Sequence, residues 1–254
     1  MQIENKVAAI TGAARGVGRA TALNLAQGGC HVAINYRSSK EEAEQTVRDI
    51  EACGVKAIAI QGDISKDADC RTFIAAVEAE FGRLDILINN AGTTNFIPHS
   101  DMEAVPDELW ERIFSTNVKG IFQCCRAAKP LMDQSGGGEI ISIGSVAGIS
   151  GDGSSIPYCA SKGAVHTMTL SLARVFAPEI RVNTIAPGFI SGEWVLEGLG
   201  DDFEAAKKAK EEAAALKKVC IPQDIADAIV SIVSGSDLVT GQVLVCDGGA
   251  LLAP

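Results

Sequence analysis

Positive charge is scarce in this chain. Its 22 lysine and arginine residues are outnumbered by 32 aspartate and glutamate residues, which gives a formal net charge of −10. Binding to nucleic acid depends on basic side chains that contact phosphates, so we expect no nucleic-acid partner. The same charge disfavours strongly acidic macromolecular partners.

Long apolar runs are also missing. No stretch reaches the roughly 20 apolar residues that a helix needs to cross a bilayer, although 47% of the residues are hydrophobic. The first residues, MQIENKVAAITG, enter a strand pattern without the basic and apolar regions of an export signal. We therefore expect a cytoplasmic protein with no membrane partner.

Metal-binding spacings and interdomain linkers are absent as well. The 8 cysteines form no CxxC pair and the 3 histidines are scattered, which predicts no metal site and reduced, mostly buried thiols. No Pro- or Ser-rich linker divides the 254 residues. We expect one domain over 1–254, with a cofactor half over about 1–135 and a catalytic and substrate-binding half over about 136–254.

What the chain has is a regular alternation of short apolar runs and longer helical patterns. Apolar runs separated by helices predict a parallel sheet covered on both faces. The expected fold class is α/β, a doubly wound sheet that binds ligands at the carboxyl ends of its strands. The predicted strands are 6–11, 31–36, 56–61, 84–88, 139–144, 180–185 and 243–246. The predicted helices are 17–28, 40–53, 67–81, 107–134, 157–177 and 223–234.

The stretch 189–218 breaks this alternation. FISGEWVLEGLG, at its start, reads as a loop with five bulky apolar side chains that need something to cover, which predicts a substrate lid. Residues 204–218 follow as a charged helix, with Asp201 or Asp202 near its N-cap. That helix is either an ordinary surface helix with solvated lysines or the second part of the lid.

Glycines follow the first predicted strand and open the first helix, in the segment TGAARGVG. Gly12 permits a sharp turn, Gly16 lets backbone approach a pyrophosphate, and Gly18 permits close packing of helix on strand. The helix N-terminus, with Val17, offers N–H groups and a positive dipole end to phosphates. The segment therefore predicts a dinucleotide site.

The end of the second strand decides which nucleotide is bound. An NAD site usually has an acidic residue there for the ribose hydroxyls, but this chain reads Asn35, Tyr36, Arg37 and Ser38. Arg15, from the glycine turn, can converge with Arg37 on a 2′-phosphate through forked hydrogen bonds. We therefore expect NADP(H), with NAD(H) as the alternative if the two arginines are unrelated surface residues.

Two further strand ends extend the nucleotide site. Asp63, with Ile64, follows the third strand and is placed to receive an adenine amino group or to cap the following helix. Asn90, Ala91 and Gly92 follow the fourth strand in the motif NNAG, where small residues let backbone pass close to a ribose. A plain structural turn is the competing interpretation of that motif.

The segment GSVAGISGDGSSIPYCASK carries groups for acid–base chemistry. Reduction of a ketone by hydride leaves an alkoxide that needs a proton. Tyr158 can donate that proton, and Lys162, one helical turn later, can lower the pKa of the phenol from ~10 toward about 7. Ser145, at the end of the fifth strand, can hydrogen-bond the substrate oxygen.

Together these motifs resemble the short-chain dehydrogenase/reductase family over essentially the whole chain, including the ending TGQVLVCDGG. The resemblance implies a single-domain Rossmann-type enzyme, often a homotetramer, that passes hydride between NAD(P) and a carbonyl or alcohol carbon. It implies that Pro187, Gly188 and Ile190 contact the cofactor, as Tyr158 and Lys162 do. It also implies that Asn117 holds a water in a proton relay, for which a helix irregularity is the competing interpretation.

The substrate is less well determined by the residues. The chain looks most like the 3-oxoacyl-[acyl-carrier-protein] reductases, yet segments 136–139 and 178–179 lack the basic residues that an acidic carrier protein needs. The Lys-rich helix at 207–218 can still supply positive charge. We expect a small carbonyl or alcohol substrate, a ketone or 3-oxoacyl type. A carrier-borne substrate, a sugar or polyol, and a non-catalytic nucleotide-binding scaffold are the alternatives.

One position departs from the family pattern. Gly192 stands where the family usually has a Thr that helps to hold the nicotinamide carboxamide. Ser191 is the neighbouring residue that could replace it, and the sequence assigns it no role.

Overall fold

The computed structural model describes residues 1–252, so the last two residues of the expected 1–254 domain lie outside it. The chain forms a seven-stranded sheet in the order β3-β2-β1-β4-β5-β6-β7, and every neighbouring pair is parallel. The predicted doubly wound α/β fold is confirmed. The strands are β1 Val7–Ile10, β2 His31–Tyr36, β3 Ala57–Gln61, β4 Ile86–Asn89, β5 Gly138–Ile143, β6 Ile180–Pro187 and β7 Val243–Cys246.

Helices cover both faces of this sheet. Helices α3, α5 and α7 pack on one face, and α1, α2 and α10 pack on the other. The central strands β1 and β4 are buried at every position because both of their faces meet a helix layer. The helices are α1 Gly16–Gln27, α2 Lys40–Glu51, α3 Asp67–Phe81, α4 Asp107–Phe114, α5 Ile121–Gln134, α6 Ala147–Ser150, α7 Ile156–Phe176, α8 Glu193–Leu199, α9 Phe203–Ala213 and α10 Pro222–Ser234.

The order of the sheet places a ligand cleft. Strands β1 and β4 are neighbours, but the chain runs outward from β1 to β3 before it returns to β4. In such sheets a crevice opens at the carboxyl ends of the strands where the order reverses. The glycine turn after β1 and the NNAG motif after β4 therefore meet at this edge.

The predicted helix 107–134 has an irregular centre. It is continuous, but a π-helical segment, Ser115–Gly120, joins α4 to α5. Asn117 lies in this segment, so the helix is irregular at this residue, which is compatible with either interpretation of Asn117. Single π turns inside helices are often associated with functional sites.

The lid region is more helical than predicted. FISGEWVLEGLG is not all loop, because α8 occupies Glu193–Leu199 within it. The charged helix α9 begins after Asp202, whose side chain makes no capping hydrogen bond, and it ends at Ala213 rather than at residue 218. Ala214 directly after it is buried, so the chain turns back into the protein there.

Several absences hold within the described part of the chain. No helix in residues 1–252 is both long and apolar enough to span a membrane. No group of three or more metal-ligating side chains comes together in the same residues. All eight cysteines are free thiols, and only Cys53 is exposed.

Candidate active site

The glycine turn and the NNAG motif are hydrogen-bonded to each other. Thr11 Oγ1 accepts the backbone N–H groups of Asn90 and Ala91, both at 3.0 Å. Asn90 Nδ2 donates to the carbonyl oxygens of Thr11 and Gly12, each at 2.9 Å. A Cβ atom on Gly12 would lie 2.9 Å from Ala91, so only glycine allows this approach. The NNAG motif is therefore more than a plain turn.

The start of α1 is free to receive a phosphate. Its N-cap residue, Arg15, makes no side-chain capping hydrogen bond, and Gly16 has φ +59° with open space where a Cβ would stand. The first-turn N–H groups of a helix and its dipole attract anions. Gly18 lies deeper, where a Cβ would collide with the Asn90 side chain, so its role is packing.

A cleft of about 840 Å³ runs along the carboxyl edge of the sheet. This volume lies within the ~300–1,000 Å³ that ligand sites usually offer. Apart from Gly18 and Asn117, every residue predicted for the cofactor or for catalysis lines it. Those lining residues are Gly12, Arg15, Gly16, Val17, Tyr36, Arg37, Ser38, Asp63, Ile64, Asn90, Ala91, Gly92, Ser145, Tyr158, Lys162, Pro187, Gly188 and Ile190.

The Asp63 side chain is held by the turn that follows it. Asp63 Oδ1 accepts the N–H of Ser65 at 3.0 Å, while Lys66 is the N-cap of α3, so the interpretation of Asp63 as the helix cap is wrong. Burial opposes ionisation, but the Ser65 hydrogen bonds and the charge of Arg37 outweigh it and hold the pKa of Asp63 below its usual value. An ionised acceptor therefore stands beside Arg37 in the cleft.

The two arginines differ in what they contact. The Arg15 guanidinium donates to both carboxylate oxygens of Glu197 in the lid helix α8, at 2.5 and 3.1 Å. Glu193 adds an oxygen 3.9 Å away. The backbone carbonyl oxygen of Arg37 accepts a hydrogen bond from Gln61 Nε2 at 3.0 Å. Both arginines line one cleft, but Arg15 is turned toward the lid.

Ser145, Tyr158 and Lys162 lie together beyond the end of β5. Lys162 is buried, its Nζ donates to the carbonyl oxygen of Ile143 at 2.6 Å, and the same Nζ lies 5.5 Å from the Tyr158 ring centroid. An ammonium has three N–H donors, and this is the one hydrogen bond that Lys162 makes within residues 1–252. The remaining donors can serve ribose hydroxyls, which fits the predicted nucleotide.

The expected lowering of the Tyr158 pKa is wrong for this arrangement. The surrounding protein desolvates the phenolate and raises the pKa of Tyr158 to about 12, although the Ser145 hydroxyl acts in the opposite direction. Burial also lowers the pKa of Lys162 to about 8. The ammonium faces the tyrosine ring and is itself destabilised, so it does not overcome the desolvation of the phenolate.

Asn117 fixes the loop that follows the NNAG motif. Its Oδ1 accepts the N–H of Thr93 at 2.8 Å, and its Nδ2 donates to the Thr93 carbonyl oxygen and to Ser161 Oγ at 3.0 and 3.1 Å. Both side-chain donors are therefore used within the protein. The side chain of Asn117 supports the cleft wall from behind rather than lining it.

The lid lies closed over the cleft. The Trp194 ring packs on the Tyr158 ring with centroids 6.4 Å apart, and the backbone of Gly198 lies against the Phe96 ring so closely that a Cβ would clash. From α9, Lys210 Nζ reaches Asp152 at 3.1 Å. Phe96 and Trp194 place two aromatic rings at the end of the cleft beside Tyr158.

The root of the lid is tied to the sheet by backbone hydrogen bonds. Gly188 N donates to the Cys246 carbonyl oxygen, and Ser191 N donates to the Cys220 carbonyl oxygen. Gly192 lines the cleft and Ser191 does not.

Three residues of the site were not anticipated. Thr11 joins the glycine turn to the NNAG motif. Phe96 packs against the lid backbone at Gly198, and Glu197 holds the Arg15 guanidinium. Thr11 directly follows the end of β1, which is a usable signal in a parallel sheet, and Phe96 lies in the loop after β4. Glu197 carries no local signal, because its partner Arg15 lies 182 residues away.

Comparison with known proteins agrees with this geometry. The sequence profile of the family described as short chain dehydrogenase matches residues 6–197. A 3-oxoacyl-[acyl-carrier-protein] reductase of Staphylococcus epidermidis is 36% identical over 96% of this chain and 98% of its own length. An uncharacterised oxidoreductase of Methylorubrum extorquens is 38% identical over 98% of both chains. The crystal structure of an NAD⁺-bound xylitol dehydrogenase superposes with a TM-score of 0.90, at 26% identity over 98% of this chain and all of that one.

Proposed function

The chain belongs to the short-chain dehydrogenase family, an oxidoreductase family, and on this premise we propose that it is an NADP(H)-dependent reductase. Its substrate is a small ketone or 3-oxoacyl-type carbonyl compound, and Tyr158 is its proton donor. The observation that carries the proposal is the buried Lys162 ammonium beside the Tyr158 ring, with one backbone acceptor and an open cleft in front of it.

The residues fit a nicotinamide dinucleotide. The uncapped N-terminus of α1 would receive the pyrophosphate, Lys162 would hold ribose hydroxyls, and Asp63 would accept from the adenine amino group. Arg15 and Arg37 would hold the 2′-phosphate of NADP(H). When bound, the nicotinamide supplies or accepts the hydride.

The chain's own groups handle the proton. With a pKa of about 12, Tyr158 stays protonated across neutral pH and can donate to an oxygen that becomes an alkoxide. Once the proton has left, the Lys162 ammonium, whose Nζ lies 5.5 Å from the Tyr158 ring centroid, attracts the phenolate. Two opposite charges about 5 Å apart gain on the order of 3 kcal/mol at an effective dielectric of ~20. Ser145, which lines the cleft near Tyr158, would hydrogen-bond the substrate oxygen.

Lid residues line the end of the cleft beside Tyr158. Trp194 lies over Tyr158, and Phe96, Val195 and Leu199 line the same end of the cleft. An apolar chamber favours a ketone or acyl chain over a polyol, whose hydroxyls would need buried hydrogen-bond partners. This is why we favour a ketone over a sugar substrate, although a xylitol dehydrogenase shares the fold.

Charge at the mouth of the cleft favours a small substrate over one carried on an acidic protein. The lysines of α9 face carboxylates: Lys207 with Glu211 at 4.0 Å, Lys208 with Glu212 at 3.9 Å, and Lys210 with Asp152 at 3.1 Å. Paired lysines offer an acidic partner little net attraction. The names of several relatives favour the second candidate, a dedicated 3-oxoacyl-[acyl-carrier-protein] reductase.

One experiment separates these two candidates. NADPH oxidation is followed with an acetoacetyl thioester presented on acyl carrier protein and on a pantetheine mimic, at matched concentrations. We expect kcat/KM values within about threefold of each other, because no basic docking surface adds affinity. A large advantage for the carrier-borne substrate would establish the second candidate instead.

We further propose a homotetramer. Exposed apolar side chains lie on two separate surfaces: Phe122, Leu170 and Val175 on the outer side of α5 and α7, and Leu244 and Val245 on the edge strand β7. A closed tetramer with dihedral symmetry needs two self-complementary interfaces, and an exposed edge strand is usually covered.

A further inference from the structure

The lid helix α8 contacts two distant parts of the cleft. Trp194 packs on the ring of Tyr158, and Glu197, three residues later, holds the guanidinium of Arg15. Residues three apart are neighbours on a helix surface. One short helix therefore connects the glycine turn of the proposed nucleotide site with the proposed proton donor.

Glu197 occupies the hydrogen-bonding face of Arg15. Two guanidinium nitrogens donate to two different oxygens of the Glu197 carboxylate, at 2.5 and 3.1 Å. The hydrogen bond from Arg15 holds the pKa of Glu197 below its usual value, so both charges persist at neutral pH. A phosphate monoester uses the same forked geometry on arginine. The carboxylate and a 2′-phosphate therefore compete for one guanidinium.

We propose that Glu197 sets the cofactor preference of this enzyme by competing with the 2′-phosphate of NADP(H) for Arg15. The inference rests on the nucleotide site proposed above. When a 2′-phosphate binds Arg15, the ion pair between Arg15 and Glu197 breaks and α8 is no longer held to the glycine turn. The Trp194 ring can then move away from Tyr158. A nucleotide without that phosphate leaves the contact between Arg15 and Glu197 in place. Glu197 acts through Arg15 and is therefore a positioning residue.

The test compares nucleotide affinities of the wild type with those of Glu197→Gln, measured by calorimetry. The substitution removes the competing charge, so the Kd for NADPH should fall about three- to fivefold, as expected for loss of an exposed ion pair. The Kd for NADH should change less than twofold. Glu193→Gln is the matched control, because Glu193 approaches Arg15 only to 3.9 Å, and it should change either Kd less than twofold.

The role of Arg15 is tested in the same series. In an Arg15→Ala background, Glu197→Gln should change neither Kd, because the group for which the carboxylate competes is gone. Equal tightening of NADPH and NADH by Glu197→Gln in the wild-type background would mean that Glu197 only holds the lid. That result, or no change in either Kd, would overturn the proposal.

Two smaller nucleotides test the competition at Arg15 independently of whether the wild type prefers NADP(H). Adenosine 2′,5′-bisphosphate and AMP differ in the 2′-phosphate alone. Competition at Arg15 predicts that Glu197→Gln tightens the bisphosphate and not AMP, even if the wild type turns out to prefer NADH. That outcome would refute the NADP(H) preference and uphold the role of Glu197, whereas equal effects on both probes would refute the role.

The release of the lid can be followed by fluorescence. The chain has two tryptophans, so Trp110→Phe leaves Trp194 as the one reporter. Saturating adenosine 2′,5′-bisphosphate should shift the Trp194 emission as its ring leaves Tyr158, and saturating AMP should not. The same emission change with both nucleotides would contradict the link between the phosphate and the lid.

Discussion

At the scale of single residues, Lys162 opposes folding. Its ammonium is buried with one hydrogen bond and no carboxylate partner, and burial lowers its pKa from 10.5 to about 8. A lowered pKa means that the folded protein binds the proton less tightly than the unfolded chain does. The site therefore holds a charge that reduces stability, as catalytic groups often do.

Replacement of this lysine should stabilise the protein. Lys162→Met should raise the free energy of unfolding at pH 7 by about 1–3 kcal/mol, because each unit of pKa shift corresponds to about 1.4 kcal/mol and one hydrogen bond is lost. Denaturant unfolding at several pH values measures the effect. Lys119→Met, at an exposed position without an ion pair in the described residues, should change stability by less than about 0.5 kcal/mol.

The stability that Lys162→Met gains over the wild type should decrease as the pH rises. The unfolded chain binds more protons at this site between the folded pKa of about 8 and the ordinary value of 10.5. Wild-type stability at this site therefore rises with pH across that window, and the advantage of Lys162→Met should shrink from pH 8 to about 10.5. An advantage that grows with pH would show that the ammonium is not destabilised by burial.

Arg37 should determine selectivity for the 2′-phosphate. Removal of its charge should lower the ratio of kcat/KM for NADPH to that for NADH at least tenfold, because a charge-assisted contact exists for one cofactor only. Steady-state kinetics of Arg37→Ala give the ratio. Arg19→Ala is the matched control, since Arg19 pairs with Asp49 and lies outside the cleft lining. An unchanged ratio in Arg37→Ala would refute the assignment.

The sequence was enough to identify the residues of the site, but it was not enough to predict the pKa of Tyr158. Tyr158 and Lys162 are four apart, so a helix places them on one face whatever the tertiary structure. The pKa of Tyr158 depends on how much protein surrounds the ring and on where the ammonium points, and both depend on long-range packing. The expected direction of that pKa shift was wrong for this reason.

At the scale of secondary structure elements, the π-helical segment Ser115–Gly120 supports the wall of the cleft. It positions Asn117 so that the side chain makes three hydrogen bonds, two with the backbone of Thr93 and one with Ser161. Thr93 lines the cleft next to Gly92. The irregularity in the helix therefore contributes to the shape of the site.

Asn117→Ala should destabilise the protein by about 2–3 kcal/mol, since it removes three hydrogen bonds worth about 1 kcal/mol each, two of them to the half-buried backbone of Thr93. Turnover should fall at least tenfold as the loop loses its support. Denaturant unfolding and steady-state kinetics measure both effects. Ser161→Ala removes one of the three bonds and should cost only about 1 kcal/mol. Equal costs for the two variants would show that Thr93 is held by other contacts.

Strands were easier to predict than the lid. Strands such as Val7–Ile10 and Ile86–Asn89 are buried on both faces, so their apolar runs stand out and bounds agree within about two residues. Helix α8 is seven residues long, has no buried residue and follows Gly192, so no apolar periodicity marks it. Its position depends on contacts with Arg15, Phe96 and Tyr158, which lie far away in the sequence.

At the scale of the whole molecule, two apolar surfaces lack a cover. The outer side of α5 and α7 exposes Leu170 and Val175, and the edge strand β7 exposes Leu244 and Val245. The order of the sheet leaves β7 at one edge with no neighbour among residues 1–252. The sequence indicated apolar residues on the long helices, but burial within one subunit explained them equally well there.

Light scattering after size exclusion tests the proposed assembly. The wild type should be a tetramer, Leu170→Glu and Leu244→Glu should each give dimers, and the double variant should give monomers, because each charge disrupts one interface. Leu216→Glu introduces the same charge at an exposed leucine outside both surfaces and should leave the tetramer intact. A monomeric wild type would refute the proposal.

Protonation of a carbonyl oxygen by Tyr158 during reduction by NADPH can be tested with a single substitution. NADPH oxidation with an acetoacetyl thioester is measured for wild type and Tyr158→Phe, with NADPH affinity and thermal unfolding as controls for cofactor binding and folding. We predict a fall in kcat of at least a hundredfold with both controls unchanged, within the 10²–10⁴-fold typical of acid–base catalysis. A Tyr158→Phe enzyme that keeps more than a tenth of the wild-type rate would contradict the account.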